Sequence, residues 1–163
     1  MFLQGESQFP LPNVTLKQRN KMIRPVKPKD SIDFLDYCIK KEYKNDTKEL
    51  GRLFNDIQKR NAKCNVYESD GFKGLLIVEG EKDMRNVHFI TDNNNIALQL
   101  IKQFIWGNKD NLYVKFPSWN NLVKPLTRLG FRITSKRGDP TVDLCRQFDK
   151  KFYFPKKRIR DYE

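Results

Sequence analysis

The spacing of apolar residues changes period along the chain, and the changes mark out its elements. Met22-Ile-Arg-Pro-Val26 predicts a short strand, with Pro25 tolerable only at an edge or where pairing lapses. Ile32, Leu35, Cys38 and Ile39 then recur every three or four positions, as on one face of a helix. Lys27-Pro-Lys-Asp-Ser31 opens that helix, and Asp30 or Ser31 can accept from the free amides of its first turn. Leu50, Leu53, Phe54 and Ile57 predict a second helix, weakened slightly by Gly51. It starts at Asp46-Thr-Lys-Glu49, where Asp and Glu three apart resemble a capping box.

From residue 64 the pattern turns to strands. Asn65-Val-Tyr-Glu68, the turn Ser69-Asp-Gly71 and Gly74-Leu-Leu-Ile-Val-Glu79 predict a hairpin. Gly80-Glu-Lys-Asp83 turns the chain into a third strand, Asn86-Val-His-Phe-Ile-Thr91. Asp92-Asn-Asn-Asn95 precedes a helix with Ile96, Leu100, Ile101 and Phe104 on one side. A strand over Leu112-Tyr-Val-Lys-Phe116 follows, then Ser118-Trp-Asn-Asn121 as a cap, and a short amphipathic helix from Leu122 that Gly130 stops. Strands over Phe131–Lys136 and Thr141–Phe148 close the pattern, with Gly138-Asp-Pro140 turning between them. The predicted order is β-α-α-β-β-β-α-β-α-β-β, an α/β protein with one mixed central sheet and helices on both faces.

Length and composition narrow this picture. At 163 residues the chain suits one domain with a real core. It holds no apolar run long enough to span a membrane and opens without the order of a secretory signal, so a cytoplasmic protein with no membrane partner is expected. Cys38, Cys64 and Cys145 have no C-x-x-C spacing, and with His88 the one histidine they assemble no ordinary zinc site. They read as reduced, packed thiols. The charge of +12, from 32 Lys and Arg against 20 Asp and Glu, favours acidic partners: nucleic acid, a polyanionic cofactor or an acidic protein face. Residues 1–20, with Phe2, Leu3, Phe9 and Leu11 around Pro10 and Pro12, read as an extended arm that docks on its own domain or on a partner. The domain itself runs over residues 21–150, and residues 151–163 form a basic, aromatic tail.

Both ends of the pattern carry a family resemblance. "MIRPVKPKD" looks like the opening strand and acidic helix cap of the GNAT acyl-CoA N-acyltransferases, and the strand, Asn-rich turn, helix and "LGF" at 129–131 resemble the family's closing part. The resemblance covers residues 21–150 and implies acetyl-CoA as cofactor. In the family a [QR]-x-x-G-x-[GA] loop points successive amides and a helix N-terminus at the pyrophosphate. The matching segment is Asp92-Asn93-Asn94-Asn95-Ile96-Ala97, with Ala97 in agreement, Asn95 in place of Gly and Asp92 in place of Gln or Arg. An Asx-rich helix cap with no ligand is the competing reading of the same residues. The family's Tyr four residues before the Gly is Leu126 here. That leaves Glu79 and His88 as candidate acid and base, with Tyr113 as a displaced phenol. A strand splayed before Asp92 would leave a slot for the pantetheine arm, and Phe89, Phe104 and Trp106 are the side chains able to fill it.

The reading that follows is a GNAT-like protein with an eroded acyl-CoA site, acting by binding a protein partner or assembly. Small internal virion proteins of short-tailed phages look similar, with an "IRP" opening and no Gly-rich loop, which implies a virion, assembly or host-interaction role in the host cytoplasm or virion. A divergent acetyl-CoA-dependent N-acyltransferase is the first alternative. A nucleic-acid-binding module is the other: Lys150, Lys151, Lys156, Lys157, Arg158 and Arg160 interleave with Phe152, Tyr153 and Phe154, a composition suited to phosphate contact and base stacking, or to a last strand and a solvated tail.

Overall fold

A computed structural model of the chain describes residues 20–41, 46–81, 83–117 and 120–147. In order, the elements are β1 (Ile23–Pro25), a 3-10 turn (Pro28–Asp30), α1 (Ser31–Lys40), α2 (Thr47–Gln58), β2 (Lys63–Glu68), β3 (Phe72–Glu79), β4 (Arg85–Ile90), α3 (Asn94–Gly107), β5 (Leu112–Pro117), α4 (Val123–Arg128), β6 (Arg132–Ile133) and β7 (Thr141–Arg146). This is the predicted order. The strands form one seven-stranded sheet, β1-β2-β3-β4-β5-β7-β6.

Alternation along the strands divides the core in two. Leu76, Val78 and Val87 point to α3 and α4, where they pack with Leu100, Ile101, Phe104 and Leu126. Leu75, Ile77 and Ile90 point the other way, to Phe34, Tyr37 and Cys38 of α1 and Leu50, Leu53 and Ile57 of α2. Helices therefore cover both faces, and the run Leu75–Val78 is fully buried because β3 is sandwiched.

All neighbouring strands pair antiparallel except β4 and β5. Their parallel contact holds only at Arg85–Leu112 and Asn86–Tyr113. Each strand then runs on for four residues without pairing to the other.

Local chemistry explains several boundaries. Pro25 lies opposite Asn65, between backbone bonds that fall at Met22–Glu68 and Val26–Cys64, so its missing N–H faces away from β2. α4 ends in a Schellman motif: the Gly130 amide bonds Thr127 O (3.2 Å) and the Phe131 amide bonds Leu126 O (3.1 Å). Gly130 at φ +96° is the left-handed residue this motif requires.

Three expectations are corrected. The buried face of α1 is Phe34, Tyr37 and Cys38, while Ile32 is 71% exposed and Ile39 39%. Both stripes have helical spacing, and the aromatic one wins because its rings meet Phe54 (5.2 Å between centroids) and Phe72 (6.2 Å). Asp30 stands at the N-cap of α1 without capping it, because its carboxylate is taken by Arg24 Nη1 and Nη2 (2.7 and 3.0 Å) and by the Lys27 amide (2.7 Å). β6 is shorter than predicted: Phe131 closes the helix end, and past Thr134 the Asp143 amide bonds the Ser135 hydroxyl (3.2 Å) instead of a strand carbonyl. Of the predicted arm only Asn20 is described, and it bonds Gln103 (3.1 Å) and Gln99 (2.6 Å) of α3. Residues 1–19, residues 148–150 and the 151–163 tail lie outside the described residues.

Candidate functional site

The segment from Thr91 to Ala97 joins β4 to α3 and carries the predicted cofactor loop. Asn93 is extended at the N-cap (φ −112°, ψ 113°), and its Oδ1 accepts from the Asn95 amide (2.9 Å) and the Ile96 amide (3.2 Å). The Asn93 amide goes to Thr91 Oγ1 (3.2 Å), and the Ala97 amide goes to the Asn93 carbonyl (3.1 Å). Amides that a phosphate would need at a helix start are thus held by the loop itself. Asn94 and Asn95 lie exposed in the first turn of α3, and Asn95 has no positive φ, so Asn's tolerance of the left-handed region is not used there.

β3 passes close beneath this loop. A Cβ on Gly74 would lie 2.7 Å from Ile96 Cγ2 and 3.1 Å from Thr91 Cβ, so glycine is what allows the approach. The Thr91 hydroxyl also donates to the Lys73 carbonyl (2.9 Å). Asp92 is largely exposed, and Lys41, just past α1, forms an ion pair with it. The same ammonium lies 5.8 Å from the centre of the Tyr37 ring. Burial holds the Tyr37 phenol above its ordinary value of 10.0, leaving it protonated beside Thr91 and Asp92. Sequence reasoning missed both Lys41 and Tyr37. They come from a different element, and nothing in the spacing links residue 41 to residue 92.

Where β4 and β5 stop pairing, Phe89 and Phe116 stack across the opening, 5.9 Å between centroids and 19° from parallel. Phe116 is buried, and Phe89 packs on the α3–α4 core. Of the other two predicted fillers, Phe104 lies within that core and Trp106 is 53% exposed.

Glu79 and His88 come together diagonally across β3 and β4, with Nε2 3.4 Å from Oε2. The β3–β4 register places Ile90 opposite Leu75 near the loop and Asn86 opposite Glu79, so Glu79 lies about 13 Å along the strand from the loop end and His88, opposite Ile77, about 7 Å. Leu126 is fully buried beneath α4 among Phe131 and Leu144, so the position of the family's Tyr faces packed side chains. Tyr113 is half-buried on β5. All three cysteines are buried and outside any disulfide, and burial pushes the Cys64 thiol well up, which disfavours a nucleophilic thiolate. Among the described residues no three His, Cys, Asp or Glu gather to hold a metal, and no helix is long and apolar enough to cross a membrane. Lys150, Lys151, Lys156, Lys157, Arg158 and Arg160 lie outside the described residues.

No family model matches the sequence, and no curated protein matches it in sequence. Solved structures do match. RimL, a ribosomal L7/L12 alpha-N-protein acetyltransferase, superposes with a TM-score of 0.59 at 13% identity, over 81% of this chain and 97% of that one. The PaiA N-acetyltransferase of Thermoplasma acidophilum, solved with coenzyme A, gives 0.58 at 11% identity over 77% and 97%. The aminoglycoside 6'-N-acetyltransferase of Enterococcus faecium gives 0.54 at 11% identity over 82% and 98%. At such identities the likeness is one of architecture: this chain has the GNAT acetyltransferase fold.

Proposed function

We propose that this is a GNAT-fold protein that acts by binding a protein partner or assembly, with its acyl-CoA site closed by its own side chains. The observation that carries the reading is the Asn93 carboxamide seated on the Asn95 and Ile96 amides (2.9 and 3.2 Å). Free amides and a helix dipole are what draw a pyrophosphate, and here an internal oxygen already satisfies two of them. The Phe89–Phe116 stack and the Asp92 carboxylate add to the misfit with an acyl-CoA. Leu126 offers no proton donor where the family has its Tyr. The resemblance to small phage virion proteins favours a virion, assembly or host-interaction role. Titration calorimetry of the full chain with acetyl-CoA tests the reading. No heat of binding at micromolar ligand is expected, and low-micromolar affinity would overturn it.

A second reading, a divergent N-acyltransferase, draws support from the parting of β4 from β5 and from the 3.4 Å Glu79–His88 pair. In that reading Glu79 orients the imidazole, and His88 takes the proton from an incoming amine. Acetyl-CoA-dependent thiol release lost in both Glu79→Gln and His88→Ala would favour it. No release above background in the unaltered protein would eliminate it.

A further inference from the structure

We infer that the edge of the fold formed by α4, β6 and the β6–β7 turn is a docking surface for the phosphate backbone of duplex nucleic acid. The inference stands independently of whether the acyl-CoA site is closed. The chain's positive charge is unevenly placed. Residues 20–100 hold fifteen basic and thirteen acidic residues, whereas residues 123–147 hold six basic and two acidic. In the first region five of the cations are tied down: Arg24 to Asp30 and Glu68, Arg52 to Glu49 and Asp56, Lys41 to Asp92, and Lys63 and Arg85 to Asp110. In the second, Lys124, Arg128, Arg132, Lys136 and Arg137 are all exposed, and no ion pair joins any of them to a described carboxylate. The two acids nearby are turned to the fold itself. Asp139 accepts from the Lys136 amide (3.2 Å), and Asp143 is buried with Lys115 3.9 Å away.

The fold concentrates these cations. Lys124 and Arg128 are four apart on the exposed side of α4, a spacing of about 6 Å. Gly130 returns the chain directly into the edge strand β6, so Arg132 follows within one turn. From there to Lys136 is at most about 13 Å of extended chain. A charged residue on a short edge strand also guards against strand addition. That accounts for Arg132 but not for the four cations beyond the strand. An acidic protein is the less suitable partner, since protein interfaces centre on apolar side chains and this edge exposes one large apolar residue, Ile133. No aromatic side chain among the described residues of this edge is exposed for stacking, which favours the duplex backbone over single-stranded bases.

The test is fluorescence anisotropy of a short labelled duplex of mixed sequence, titrated with the full chain at about 50 to 200 mM salt. Changing Lys124, Arg128, Arg132, Lys136 and Arg137 to Gln should weaken binding tenfold or more. The log–log salt slope should fall by about 0.9 for each phosphate contact removed. A control with Lys21, Lys29, Lys48, Lys59 and Lys73, all exposed elsewhere, changed to Gln alters net charge equally and should keep most of the affinity. Should the five-site variant misfold, Lys124→Gln with Arg128→Gln carries the same expectation on a smaller scale. Equal loss in variant and control would overturn the inference, as would loss only on deleting residues 155–163. No duplex binding at the lowest salt, or preference for polyglutamate over DNA, would also overturn it.

Discussion

The two halves of the sheet differ in how they use charge. β1 to β4, with α1 and α2, form long antiparallel ladders stitched by ion pairs at their margins: Arg24 joins β1 to the α1 entry and β2, and Asp110 gathers Lys63 of β2 and Arg85 of β4. β5, β7 and β6, with α4, are held mainly by apolar packing and backbone motifs, and apart from Arg146, whose Nε donates to the Leu129 carbonyl, their basic residues are exposed. The β-ladders of the two halves pair at only two positions, Arg85–Leu112 and Asn86–Tyr113, and the rest of their contact is side-chain packing. Carboxylates in the first half serve its own cohesion, and the second half leaves its cations to whatever anion approaches. The 92–97 loop lies at the seam, where β4 runs into α3.

The sharpest way to break this contrast is to remove the staple of the first half. Asp30 is nearly buried, and Arg24 loses its bidentate partner if it goes. Asp30→Ala should cost about 3 kcal/mol, the scale for orphaning one member of a mostly buried pair, read by urea denaturation. Its pH dependence has a defined sign. The Arg24 hydrogen bonds hold the Asp30 carboxyl below its ordinary value of 3.8. Its contribution is therefore complete above that value and fades as pH falls through the lower folded-state value. The gap between unaltered protein and variant should close only below pH 3.8. A gap independent of pH there would show that packing, not charge, sets the cost.

Next in size is a test of the second half's core. Leu126→Tyr restores the residue type of the resembling family at a fully buried site. The ring overfills that space and its hydroxyl meets apolar neighbours, so about 1–3 kcal/mol of stability should be lost with no gain in acetyl-CoA-dependent thiol release. Gain of release would show that a phenol at this position reaches a reacting group.

The elements differ in how far they were legible. The faces of α2 and α3 could be read because Leu50, Leu53 and Ile57, and Leu100, Ile101 and Phe104, have no competing apolar stripe. α1 carries two such stripes, and only contacts with Phe54 and Phe72, brought by α2 and β3, decide between them. The place of the 92–97 loop between a strand and a helix was legible from the Asn run and the change of period. The side-chain partners brought to the site from other elements were not. Lys41 meets Asp92, Phe89 meets Phe116, and Glu79 meets His88 through tertiary packing and register, which a single sequence leaves unspecified.

At the seam, a double-mutant cycle on Phe89→Ala and Phe116→Ala should return a coupling of about 0.5–1.5 kcal/mol, the scale of an aromatic pair beyond its area burial. Zero coupling would mean that the rings are neighbours without joining the two halves.

The smallest expected effect on stability carries the most information about function. Asn93→Gly removes the side chain that occupies the Asn95 and Ile96 amides, and glycine at an N-cap costs only a few tenths of a kcal/mol relative to Asn. Thermal melting should barely move. The two amides then face solvent at a helix start, where the dipole favours an anion. If side-chain closure is what separates this loop from a pyrophosphate site, the variant should show acetyl-CoA binding by calorimetry that the unaltered chain lacks. Adding Asp92→Arg, which replaces the exposed carboxylate with a cation, should strengthen it further. An unchanged blank titration in both variants would move the barrier to the Phe89–Phe116 stack, and the same titration on Phe116→Ala would then decide whether the seam opens there.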